Sequence, residues 1–208
     1  MRYTILVLFI SIFIIACNNS SSDSKKNDSL IAKVEIPINK NFRLFIEKFA
    51  MLQLPLALNP FAVHNMESLP ILYGNDTAFI NTEYKDTTLD KVYAYGVLPD
   101  TTNSFKIIWL KPGEIHVFML TTFSKQGQKV SEDYLGIGRC GSDCCYTCTE
   151  TIQFDNEMNI YSADTIKSCK CEADGPDLKT MRKYVLFKTA KIAIDGRFKF
   201  SEEKEKSQ

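Results

Sequence analysis

Phe42, Phe45, Ile46 and Phe49 recur at i, i+3, i+4 and i+7, with Arg43, Glu47 and Lys48 on the opposite side. That period predicts an amphipathic helix. Asn39 or Asn41 can cap its start, and Pro55 ends the segment. A second short helix is predicted over Asn75 to Thr82. From Val92 the period shortens. Val92–Leu98, Phe105–Leu110, Ile115–Phe123 and Lys129–Ile137 read as strands, as do Thr149–Phe154, Met158–Ile166 and Tyr184–Ile194. Lys111-Pro112-Gly113, Ser124-Lys125-Gln126-Gly127 and Asp155-Asn156-Glu157 supply turns between them. Asp195-Gly196 predicts a two-residue hairpin returning as Arg197 to Phe200. Connections this short join neighbouring antiparallel strands, because parallel strands need long crossovers. The pattern therefore predicts a mainly β domain. It is an antiparallel meander or sandwich-like sheet with one or two short N-terminal helices, and α+β is the alternative class.

The N-terminus follows a different pattern. After Arg2, residues Tyr3 to Ala16 are almost wholly apolar, and Asn18-Asn19 stop the run. A membrane span needs about 20 apolar residues, so this run is short for one. A charged start, an apolar core and a small residue at its end form a secretory signal. Ile14-Ile15-Ala16-Cys17 resembles the lipobox of bacterial lipoproteins. The resemblance implies cleavage after residue 16 and lipidation of Cys17. Several acyl chains would then hold the protein at a membrane, each buried methylene contributing about 0.8 kcal/mol. Asn18 in place of Asp at the next position implies the outer membrane in the Gram-negative family. The organisation expected is a signal peptide at 1–16, a lipidated flexible tether at 17–29, one β-rich globular domain at 30–200 and a charged, frayed tail at 201–208. The tether NNSSSDSKKNDS and the tail SEEKEKSQ have no apolar face to bury.

Composition narrows the partners. Lys and Arg number 25 against 25 Asp and Glu, and removing the leader takes Arg2 but no acid. With no basic excess to track a phosphate backbone, nucleic acid is not an expected partner. Fourteen Phe and nine Tyr reinforce the strand reading.

Beyond Cys17 the cysteines cluster. Cys140, Cys144, Cys145 and Cys148 lie in RCGSDCCYTC between two strands, and Cys169 and Cys171 end the following strand. In an oxidising compartment an even set reads as disulfides. Pairing of the adjacent Cys144 and Cys145 is set aside as sterically strained. At least one of Cys169 and Cys171 is expected to join the loop cluster, closing a loop of roughly 20–30 residues worth about 3 kcal/mol. Two other chemistries stay open: four thiolates around zinc, and a redox Cys145-Tyr146-Thr147-Cys148 pair. Against zinc, no histidine lies near; against redox, the sequence after the motif reads as strand rather than helix.

Asp followed by Ser or Thr and then an apolar residue or Thr recurs at Ser29, Thr77, Thr87, Thr101 and Thr165. The triplet resembles the acceptor of a general periplasmic O-glycosylation system of some Gram-negative lipoproteins. A sugar needs an exposed loop; Asp164-Thr165-Ile166, near a predicted strand end, fits that need least. Turn chemistry alone also favours Asp beside Thr.

No catalytic motif is present, and the carboxylates are too scattered in sequence for any pair to be nominated. His64 and His116 are read as ordinary surface or satisfied residues, and Trp109 as core. No catalytic residue, metal site or cofactor is assigned. The expectation is an exported lipoprotein that acts as a non-catalytic binding or envelope-structural module, with the membrane and a protein or glycan as partners. The alternative is a metal-binding or thiol-redox protein using the Cys140–Cys171 cluster.

Overall fold

The computed structural model describes residues 38–62, 66–80, 91–113, 116–141 and 143–208. The leader, Cys17, Ser29, His64 and Thr87 lie outside them. The predicted helix is α1, Lys40–Ile46, and Asn39 caps it by accepting the Asn41 N–H at 2.9 Å. The weaker second helix is a 3-10 turn, Gly74–Asp76, running into α2, Thr77–Ile80.

Ten strands follow the chain: β1 (Leu56–Leu58), β2 (Ile71–Leu72), β3 (Val92–Val97), β4 (Ser104–Lys111), β5 (Val117–Ser124), β6 (Lys129–Tyr134), β7 (Tyr146–Phe154), β8 (Asn159–Glu172), β9 (Gly175–Lys191) and β10 (Lys204–Ser207). They form two five-stranded sheets, ordered β2-β3-β4-β5-β6 and β1-β7-β8-β9-β10, and every strand pair is antiparallel. The mainly β, sandwich-like reading is correct.

The first sheet is covered on both faces. Ile107 and Trp109 of β4 face Phe42, Phe45 and Phe49 beside α1, whereas Ile108 and Leu110 face the second sheet. This is why β4 is buried almost without alternation. Close packing sets one glycine here. A Cβ on Gly96 of β3 would lie 2.5 Å from Leu52 Cγ, so only glycine admits the Leu52 side chain. Between the sheets, Phe118, Leu120, Leu58, Ile152, Phe154 and Ile160 fill the second core. Each such side chain contributes about 1.5–3 kcal/mol through burial.

Four local expectations need correction. First, the 201–208 tail is not frayed: β10 pairs with Tyr184–Phe187 of β9, and Gln208 N–H donates to Lys183 O. Arg182 and Arg139 reach Glu205 and Glu203. The tail has no apolar face, yet it satisfies a backbone edge that would otherwise stay open. Second, Asp195-Gly196 does form a tight turn, but Arg197 to Phe200 does not return as a ladder strand. Thr122 Oγ1 donates to Gly196 O at 2.7 Å, and Phe198 and Phe200 pack into the second core. Third, the Lys129 strand ends at Tyr134 rather than Ile137, and the chain leaves the ladder as a strap, residues 135–140, whose first part, Leu135-Gly136-Ile137, is buried. Fourth, His116 precedes β5 instead of lying within a strand; its ring sits 5.6 Å from that of Tyr93.

Candidate functional site

The cysteine-bearing end of the second sheet holds the densest chemistry. β7 and β8 pair so that Glu150 lies opposite Asp164 and Ile152 opposite Ser162, while β8 and β9 set Ser162 opposite Lys188. These positions share the inward phase with Ile152, Phe154 and Ile160. Polar groups thus occupy places the pattern reserves for apolar ones, and all are buried: Glu150 is 7% exposed, Asp164 0% and Lys188 6%.

The strap after β6 closes over them. Lys188 Nζ donates to Tyr134 O at 3.0 Å and sits over the Tyr134 and Phe200 rings at 4.1 and 4.2 Å. Arg139 N–H donates to Asp164 Oδ2 at 2.8 Å. A Cβ on Gly136 would fall 1.8 Å from Glu150 Oε1, so the carboxyl fills the space a side chain would need. Ser162 Oγ and Asp164 Oδ1 have no hydrogen-bond partner among the described residues.

Electrostatics follow from this packing. Burial, and then the Asp164 charge, push Glu150 up to about 7, with Lys188 opposing. Burial also raises Asp164 above the usual carboxylate range, against the Arg139 N–H. Lys188 is held below the ordinary lysine value by burial. Two directly opposed buried carboxyls, with the nearest lysine one strand further on, retain a proton more readily than surface acids do. The carboxylates are therefore not all scattered, as the sequence suggested. Strand register brings this pair together, and the signal available was an acid in the apolar phase of each strand.

The six clustered cysteines form three disulfides: Cys140–Cys148, Cys144–Cys171 and Cys145–Cys169. Cα separations of 5.1, 6.1 and 5.4 Å are ordinary for such bonds. Both Cys169 and Cys171 join the loop cluster, and Cys169 N–H also donates to Cys145 O. Cys140 Sγ, Cys148 Sγ and an Asp164 carboxylate oxygen all lie within 4.8 Å of one another.

The other triplet positions scatter. Thr77 opens α2 and donates to Gly74 O, and Thr101 lies in the β3–β4 connection. Thr165, expected near a strand end, is instead mid-strand, opposite Thr149 and Val185, and half-buried. A ladder on both sides leaves little room there for a sugar.

A second feature is a cleft of 970 Å³ at the far end of the same sheet. Gln153, Tyr161 and Thr189 form one cross-strand row in its floor, with Asp155, Asn159 and Lys191 in its wall. Tyr161 is 39% exposed, and its ring lies 5.8 Å from that of Phe187.

Among the described residues no helix is long and apolar enough to cross a membrane. No family model, no curated protein and no solved structure matches the chain.

Proposed function

We propose that this chain is an exported lipoprotein, anchored through lipid on Cys17 and facing the cell envelope, most consistently at an outer membrane. Its β domain is a non-catalytic binding or envelope-structural module. The observation that supports this best is the complete pairing of the six cysteines beyond Cys17. An oxidising compartment permits that state, and a reducing cytosol opposes it. The cleft over Tyr161 is the surface we assign to a partner: an aromatic floor with amide, hydroxyl, carboxylate and ammonium groups around it suits a polar glycan or peptide chain.

Fractionation of the producing cells tests the address. The protein is expected in the detergent phase with membranes, and Cys17→Ser is expected to release it. A protein that stays soluble with Cys17 intact contradicts the anchor.

A second reading, thiol redox chemistry at the cysteine cluster, is favoured by one observation. A buried carboxyl with an unpartnered oxygen stands beside the Cys140–Cys148 bond.

A further inference from the structure

The three disulfides differ in their surroundings. Cys144–Cys171 and Cys145–Cys169 tie one loop to β8. Cys140–Cys148 instead ties the strap to β7, across a separation of only 8 residues. It alone has a carboxyl oxygen within 4.8 Å of both sulfurs among the described residues. Both its cysteines are partly exposed, whereas Asp164 is fully buried. Asp164 Oδ2 is occupied by the Arg139 N–H, and Oδ1 has no partner among the described residues. Buried and directly opposite Glu150, Asp164 belongs to a coupled pair of carboxyls that holds a proton more readily than surface acids, and a sulfur leaving as thiolate beside it is an acceptor for that proton.

We propose that Cys140–Cys148 is an exchangeable disulfide serviced by a dithiol reductant, and that Asp164 supplies the proton to its leaving sulfur. The inference rests on the redox reading of the cluster, and on the cysteines being oxidised at the outset.

A thiolate of the dithiol attacks Cys140 Sγ, on the strap. The Cys140–Cys148 bond breaks, and its electron pair leaves on Cys148 Sγ. That thiolate takes the Asp164 proton, and Asp164 recovers a proton from water. The reductant's second thiolate then attacks its own sulfur in the mixed disulfide and expels the Cys140 thiolate, which is protonated by solvent. The dithiol is oxidised to a cyclic disulfide and the cystine is reduced to two thiols. Opening this bond frees the strap from β7 while the other two bonds stay closed.

Several charged and titratable groups face Asp164. Glu150 stands on β7, Lys188 on β9, Arg139 on the strap and Glu203 before β10, and Tyr146 opens β7. Glu203 favours keeping the proton on Asp164, Arg139 and Lys188 oppose, and the Asp164 charge in turn raises Glu150.

The test treats the native, oxidised protein with dithiothreitol between pH 5.5 and 8.5, traps thiols by alkylation and maps them by peptide mass. Cys140–Cys148 is expected to open about tenfold or more ahead of the others. Rates are divided by the reductant's thiolate content. On that scale Asp164→Asn is expected to slow opening about tenfold at the acid end, where the proton donor is lost. At the alkaline end it is expected to match or exceed the wild type, because the carboxylate that repels an incoming thiolate is gone. The two profiles therefore cross. Three bonds opening together, or parallel profiles, would overturn the proposal. If Asp164→Asn does not fold, the wild-type profile decides. A thiolate-normalised rate that falls as pH rises supports Asp164, and a flat one overturns it. Six free thiols before any reductant would instead remove the oxidised cluster itself, and the export reading with it.

Discussion

Trp109 and Glu150 both bury a polar group on a sheet face, and the two neighbourhoods treat it differently. In the first sheet, Trp109 Nε1–H donates to Thr121 Oγ1 at 2.8 Å, and Thr121 donates to Glu132 Oε2 at 2.7 Å. Lys129 Nζ then bridges Glu132 Oε1 and Ile80 O. Each link has a partner, and the chain ends at partly exposed groups. In the second sheet, Glu150, Asp164 and Lys188 lie across three strands, with Ser162 Oγ and Asp164 Oδ1 unmatched among the described residues. A satisfied network fixes packing. An unsatisfied one stores a desolvation cost that only a proton, a ligand or a change of state relieves. The contrast separates architecture from chemistry within one domain.

The sharpest way to break this contrast is Gly136→Ala. Its Cβ collides with Glu150 Oε1, forcing the strap or the carboxyl to move. We expect a loss of about 3 kcal/mol in chemical denaturation, at the upper end of overpacking effects. An unchanged midpoint would mean that the strap does not seal the cluster.

Next in size is pH. Glu150 binds its proton more tightly folded than unfolded, so the folded state holds more protons between the unfolded value and about 7. Stability therefore falls as pH rises through that window, by up to about 3 kcal/mol. Asp164 acts with the same sign. Glu150→Gln is expected to remove most of the slope between about pH 4.5 and 7.5. A wild type that is equally stable at both ends contradicts the burial.

Two conservative substitutions then compare the neighbourhoods directly. Thr121→Val removes the hydroxyl that links Trp109 Nε1–H to Glu132 Oε2, costing about 1–3 kcal/mol by thermal or denaturant unfolding. Ser162→Ala removes a hydroxyl that has no partner among the described residues, so its effect is expected within about 0.5 kcal/mol of zero, or stabilising. Equal losses at both sites would erase the distinction.

Much of the first sheet was legible because its strands are separated by turn chemistry and rich in β-branched and aromatic residues. The run from Ile107 to Leu110 was visible as a strand although it does not alternate, and the structure gives the reason: Ile107 and Trp109 pack on one face, Ile108 and Leu110 on the other. The Glu150–Asp164 pair was not legible. Recognising it needs the register between β7 and β8, and one residue of slip would send either acid to the outer face. β10 was hidden for another reason. Lys204 to Ser207 carries no apolar residue, and its pairing depends on the free edge of β9 rather than on its own pattern. Cys169 and Cys171 showed that a strand end would be stapled. Their separate partners, Cys145 and Cys144, depend on where the loop lies in space.

The most direct test is intact and peptide mass of the protein taken from the membranes of the cells that make it, alkylated before any reduction. We expect a chain beginning at an acylated Cys17, with the six remaining cysteines unlabelled and mapped as 140–148, 144–171 and 145–169. A full-length chain with residues 1–16 attached, no acyl mass and labelled cysteines would contradict it.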